Sequence, residues 1–231
     1  MIVWLASFPR SGNTFLRSML RQALGLYSYS IYNDGDDIGG NDDVRQAVGH
    51  LFINGPIEEF CKESTLGPEI VPVKTHEPPI DRAPAIYVVR DGRAALVSYW
   101  NYLRKFRQRQ DLTLQDVIRG RGTRFGSWSL HLQQWAPLTR PRTLLLRYED
   151  LVDDPDAAVA KIASFLGRQP VARWQDNFQE MQAAFPAFFN TASNAKNIGQ
   201  MTAEDRRIFW HLHGDGMRAM GYEAAEAIRP E

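Results

Sequence analysis

Four short apolar runs, separated by segments with helical spacing, limit what this chain can fold into more than any other feature. Residues 2–7, 69–74, 85–89 and 142–146 are five or six residues long, rich in β-branched and large apolar side chains, and mostly bounded by proline. Such runs suit strands buried on both faces. After the first run, the segment beyond Gly12 carries Phe15, Leu16, Met19, Leu20 and Ala23 at helical spacing, and the chain turns helical again from Asp91. Residues 113–119 and 128–138 read as helices too, and residues 151–166 begin on an Asp-Asp-Pro start signal and stop at Gly167. A loop rich in Asp, Asn and Gly covers residues 32–43, with a weaker helical stretch after it to about Leu51. Strands alternating with helices in this way predict an α/β fold, a central, mostly parallel sheet flanked by helices. There is no repeat and no linker-like stretch, so a single domain over residues 1–231 is expected.

Composition removes several function classes. The 231 residues, 44% hydrophobic, are enough for one sizeable core. Lysine and arginine number 27 and so do aspartate and glutamate, so the net charge is zero and no nucleic-acid partner is suggested. Arginine makes up 22 of the 27 basic residues, and its planar fork suits phosphate and carboxylate. The single cysteine, Cys61, excludes an intramolecular disulfide framework and a cysteine zinc cluster. No apolar stretch approaches the ~18 residues of a membrane span, and the first residues read as a strand rather than a signal sequence. The expectation is a soluble, cytoplasmic protein without membrane insertion. The C-terminal region carries no clear dimerisation signature.

Four segments could carry chemistry. Ser7-Phe-Pro-Arg-Ser-Gly-Asn-Thr-Phe15 lies between a strand and a helix, where free backbone N–H groups and the helix dipole make an anion site. Arg10, Ser11, Asn13 and Thr14 add side-chain donors there; an ordinary N-cap turn is the plainer alternative. The Lys-Ser/Thr of a Walker A loop is missing. Val73-Lys-Thr-His76 ends a predicted strand, which puts Lys74 and His76 at the sheet edge where ligands of α/β proteins bind. An imidazole there suits general-base work, though single histidines are often structural. His50, His131, His211 and His213 lie in predicted helical stretches, without metal-ligand spacing. In Val88-Val-Arg-Asp-Gly-Arg93, Arg90 ends a strand and Asp91 can cap the next helix, with Ser98 further along it. Arg147-Tyr-Glu-Asp-Leu151 aims Tyr148 at the same edge.

Taken together, in this order and spacing, these segments resemble the sulfotransferases that use PAPS (3′-phosphoadenosine 5′-phosphosulfate). The likeness runs over roughly residues 2–200 and implies a P-loop-like nucleotide-binding scaffold. It implies that Arg10, Ser11, Gly12, Asn13 and Thr14 hold the 5′-phosphosulfate, with Phe15 stacking on adenine. Arg10 and Asn13 stand where animal members carry Lys and Thr. By the same resemblance, Arg90 and Ser98 bind the 3′-phosphate, Tyr148 approaches the nucleotide, and Phe178 forms the second face of an adenine sandwich. The family's final Arg-Lys-Gly-x-x-Gly motif is reduced here to Asn194-Ala-Lys-Asn-Ile-Gly199, where Gly199 aligns and Lys196 supplies the cation from a shifted position.

PAPS carries about four negative charges, so several cations must gather around it. Arg10, Lys74, Arg90 and Lys196 are the candidates. The transferred group carries about one charge, so no metal is expected to be required. The expected reaction is sulfuryl transfer to a hydroxyl or amine of a small-molecule, sugar or lipid acceptor, with His76 as base and Lys74 and Arg10 stabilising the departing 3′,5′-ADP. Candidate acceptor-side elements are residues 32–43, Tyr99 to Tyr102, Arg104 to Arg109, and Phe185 to Phe189. The competing readings are a kinase or NTPase on a P-loop-like fold and a non-catalytic nucleotide-binding module.

Overall fold

In a computed structural model describing residues 1–186 and 193–223, all four apolar runs form strands of one sheet. The strands are β1 (Ile2–Ser7), β2 (Ser28–Ser30), β3 (His50–Leu51), β4 (Val71–Thr75), β5 (Ala85–Val89) and β6 (Thr143–Arg147). Their order across the sheet is β3-β2-β4-β1-β5-β6, and every pairing is parallel. β1 is buried at every position and β5 likewise, which is why both read as unbroken apolar runs rather than alternating ones.

The helices are α1 (Asn13–Leu24), α2 (Asp42–Val48), α3 (Ile57–Leu66), α4 (Gly92–Lys105), α5 (Leu114–Ile118), α6 (Trp128–Trp135), α7 (Tyr148–Asp153), α8 (Pro155–Leu166), α9 (Phe178–Ala184), α10 (Asn194–Ile198) and α11 (Ala203–Ala219). One sheet face packs on α1 and α8 through Leu16, Leu20, Val159 and Ile162. The other packs on α4, α6 and α11 through Leu96, Trp128, Trp135 and Phe209. Among the described residues no helix is long and apolar enough to cross a membrane.

Several elements differ from the sequence expectation. The helical stretch after the acidic loop ends at Val48 because Gly49 takes a left-handed conformation (φ 65°) and caps it. His50 therefore lies in a strand, not a helix. The expected helix over residues 151–166 is two helices that meet at Asp154, whose side chain caps the second, with Pro155 in its first turn. Tyr148 consequently opens a short helix rather than ending a strand. The helix expected to reach Leu138 stops at Trp135, since Ala136 turns left-handed (φ 41°). Within the acidic loop, Asp34 and Asp37 are buried.

β1 is the point where the chain changes direction, with β4 on one side and β5 on the other. Ligands of such sheets bind beyond the carboxyl ends of strands at that point. The carboxyl ends of β1, β4 and β5 carry the segments beginning at Phe8, His76 and Arg90.

Candidate active site

The loop after β1 is shaped around bare backbone. Arg10 and Gly12 both have positive φ (64° and 100°), and a Cβ on Gly12 would collide with the Tyr148 ring. Only glycine meets both demands. No side chain caps α1, so its first amides are open at the dipole's positive end. Ser11 Oγ is buried and lacks a hydrogen-bond partner among the described residues. Asn13 is used differently from the sequence expectation. Its amide donates to Leu5 O (2.8 Å) and Ser7 Oγ (3.3 Å), so it braces the loop against β1 and offers no side-chain donor outward.

Two arginines meet beside this loop. Arg90, at the end of β5, donates to Arg10 O (3.0 Å) and Asn194 Oδ1 (2.8 Å) and lies over the Tyr148 ring at 4.6 Å. Arg10 Nε donates to Ser98 Oγ at 3.4 Å. Burial lowers the Arg10 pKa to about 10 and lowers that of Arg90 as well, which leaves Arg10 cationic at neutral pH. Behind them the Glu149 carboxylate accepts from Asp91 N (3.1 Å), Asn194 Nδ2 (2.7 Å) and Tyr222 OH (2.7 Å).

His76 is held at almost every polar atom. Its Nδ1–H donates to Ser7 O (2.7 Å), its backbone N–H to the Tyr32 hydroxyl (2.8 Å), and its carbonyl accepts from His131 Nε2 (3.1 Å). Tyr87 OH in turn donates to His131 Nδ1 (2.8 Å), and Trp135, one turn on in α6, donates to Glu77 O (2.9 Å). That pattern fixes the tautomer: Nε2 keeps the lone pair and has no hydrogen bond among the described residues. Burial, then the charge of Lys74, pushes the His76 pKa down to about 3, so the ring is neutral at physiological pH.

Lys74 sits in a buried ion pair. Its ammonium donates to both Asp34 oxygens, at 3.0 and 2.9 Å. Arg17, fully buried, stands on the other side of the same carboxylate at 3.6 Å and bonds Ser28 Oγ and His50 Nδ1. Burial alone would raise the Asp34 carboxyl; Lys74 and Arg17 outweigh it and hold it below the usual range. Removing one partner of such a pair costs about 3–5 kcal/mol.

The buried histidines give the fold a pH signature. Burial sets His76 near 3 and His50 and His131 near 4, against 6.5 in the unfolded chain. The unfolded state thus binds more protons below pH 6.5, and stability present above that pH declines as pH falls from about 6.5 towards 4. Each pKa unit per imidazole is worth about 1.4 kcal/mol. Calorimetric Tm is expected to drop continuously across that window; a flat Tm would mean these rings titrate normally in the fold.

These groups surround a cleft of about 450 Å³. Arg10, Gly12, Asn13, Thr14 and Phe15 line it, with Arg90, Ser98, Tyr148 and Phe178. Lys74 and His76 line it too, together with Tyr32 and Asp34. Lys196 and Gly199 are not brought to it. α10 turns Asn197 towards Ala94 O and leaves both of them exposed, and Asn194 is the residue of that segment that reaches Arg90. Of the expected acceptor-side elements, Tyr32, Asp34, Asp37, Tyr99, Tyr102 and Arg107 line the cleft. Of Phe185 to Phe189, residues 187–189 lie outside the described residues. Sequence reasoning missed Arg124, Phe125 and Met181, and it missed His131 as the support of His76. Among the described residues no cluster of three or more His, Cys, Asp or Glu could hold a metal ion.

An open helix N-terminus, the buried Arg90 beside a half-buried Arg10, and a neutral imidazole lie together at the switch point of the parallel sheet of this α/β domain. The sulfotransferase-domain family model matches residues 2–211, and the chain belongs to that family. It is 26% identical over 219 residues to dog sulfotransferase 1A1, covering 82% of this chain and 68% of that protein. Against the first mammalian relatives it spans 58% to 68% of their length. The fold is similar to that of mouse sulfotransferase SULT7A1 complexed with PAP, with a TM-score of 0.64, 20% identity, and coverage of 94% of this chain and 83% of that one. It is also similar to retinol dehydratase in complex with androsterone and PAP, with a TM-score of 0.65, 18% identity, and coverage of 97% and 82%.

Proposed function

We propose that this chain transfers a sulfuryl group from PAPS to a hydroxyl or amine of a small-molecule acceptor, with His76 as general base. The observation that carries the reading is His76 itself: a half-buried, neutral ring whose Nε2 has no hydrogen bond among the described residues, lining the same cleft as Lys74 and the anion-binding loop. The residues present fit the donor. The Gly12 turn leaves no room for a Cβ, and among the described residues Ser11 Oγ lacks a partner and no side chain caps the first amides of α1. Arg10, Ser11, Gly12 and Thr14 would hold the 5′-phosphosulfate, Arg90 and Ser98 the 3′-phosphate, and Phe15, Tyr148 and Phe178 the nucleoside. Asn13 would contribute its backbone amide.

PAPS supplies an activated sulfur–oxygen bond. His76 Nε2 takes the acceptor proton while the acceptor's lone pair bonds to sulfur, and the S–O bond to the phosphate breaks with its electron pair staying on 3′,5′-ADP. Arg10 and Lys74 offset the charge that builds on that oxygen. Retinol dehydratase with bound androsterone, a similar fold, supports a small-molecule acceptor.

A thermal-shift comparison tests the donor. A ligand at about 100 times its Kd stabilises by about 2.7 kcal/mol, which for 3′,5′-ADP is expected to raise Tm by several degrees. Mg-ATP is expected to give a much smaller shift. An equal or larger shift with Mg-ATP would favour the kinase or NTPase reading.

A further inference from the structure

The acidic loop supplies a buried charge that the proposed reaction does not use. Asp34 holds Lys74 by two hydrogen bonds, at 2.9 and 3.0 Å, so the lysine faces a carboxylate. Arg17 approaches that carboxylate from the other side. It is fixed through Nε to Ser28 Oγ and through Nη2 to His50 Nδ1, whose own Nε2–H is tied to Asn33 O. Its Nη1, fully buried, lies 3.6 Å from Asp34 Oδ2 and makes no hydrogen bond among the described residues. A buried guanidinium nitrogen without a partner is costly, and here it points at a carboxylate just beyond bonding distance.

We propose that Asp34 is the resting counter-ion of Lys74, and that the anionic nucleotide takes Lys74 over while Arg17 takes over Asp34. The inference rests on the reading of the cleft as the PAPS site. Two cations share one carboxylate, so the carboxylate is not stranded when one of them leaves. Stranding a buried charge is what makes most such exchanges prohibitive. Arg17 needs only a few tenths of an ångström to complete its bond. Lys74 is a flexible point charge that can turn, whereas Arg17 is held by its fork. The Asp34 backbone is anchored by Gly39 N and Asp37 N, which donate to its carbonyl at 2.7 and 3.1 Å. The carboxylate therefore stays in place while its partner changes. The net effect is a cleft whose second cation is masked until a polyanion arrives, so Asp34 weakens nucleotide binding and thereby eases product release.

The test is calorimetric titration of 3′,5′-ADP into the wild type, Asp34→Asn and Asp34→Glu, with the Tm of each recorded. Asp34→Asn is expected to bind 3′,5′-ADP about tenfold more tightly, because Lys74 no longer has a competing anion. Asp34→Glu is expected to return affinity towards the wild type. A loss of packing alone would weaken binding, so tightening is a sign that a structural role would not produce. Unchanged or weaker binding by folded Asp34→Asn overturns the proposal. Should that variant not fold, a crystal structure of the wild type with 3′,5′-ADP decides. Lys74 is expected off Asp34, with Arg17 Nη1 bonded to it; Lys74 still bonded to both oxygens overturns the proposal. A wild type that binds no 3′,5′-ADP would instead overturn the functional reading on which it rests.

Discussion

Replacing His76 by alanine is expected to lower turnover by about a hundredfold or more while 3′,5′-ADP binds nearly as well as before. General-base catalysis contributes about 10²–10⁴-fold, and no other imidazole can substitute. His131 is closest in the network, but both of its nitrogens are engaged, one by Tyr87 OH and the other by the His76 carbonyl. The ring of His76 is neutral, so its removal takes no cation from the nucleotide site. Single-turnover rates with PAPS, read beside calorimetric affinity for 3′,5′-ADP, separate the two effects. Normal rates in the variant would exclude His76 as the base, and a joint loss of rate and affinity would make it a structural residue.

Arg90→Ala is expected to act in the opposite way, weakening 3′,5′-ADP binding by about 30-fold or more. Truncating one member of a buried charge contact costs about 2–5 kcal/mol, and tenfold is about 1.4 kcal/mol. Part of the loss is indirect. Arg90 also donates to the carbonyl of Arg10, which has a positive φ, so the anion-binding turn loses a brace along with a cation. Arg90→Lys restores the charge without the fork and is expected to recover only part of the affinity. Isothermal titration of each variant checks this; unchanged affinity in Arg90→Ala would remove Arg90 from the 3′-phosphate site.

The parts of the fold that could be read in the sequence are those where local composition and burial agree. β1 and β5 are buried at every position, and a continuous apolar run says so. β2 and β3 have three and two residues, with sequences Ser-Tyr-Ser and His-Leu, and they become strands only by pairing with β4 and with each other. Nothing local announces them. The site followed the same division. Arg10, Lys74, His76 and Arg90 were visible because strand ends next to turns locate them, and all four line one cleft. Asn13 was assigned as an outward donor because its chemistry fits an anion, but its position on the first turn of α1 points the amide back at Leu5. Asp34 carries no local mark that sets it apart from the other aspartates of its loop, and only the folded chain brings Lys74 and Arg17 to it. The charge of Lys196 points to it in the sequence, whereas the short α10 presents uncharged Asn194 to Arg90. Arg124 and Phe125 come from a segment without periodicity, so no pattern could have marked them.

The Glu149 carboxylate joins three stretches far apart along the chain: Asp91 at the start of α4, Asn194 at the start of α10, and Tyr222 beyond α11. Asn194 passes that connection on to Arg90. Local opening of the chain's last described turn and release of Arg90 are therefore thermodynamically linked events rather than independent ones. A ligand that holds Arg90 in place also protects the turn carrying Tyr222 against opening, and by reciprocity anything that pries Tyr222 loose lowers affinity for that ligand.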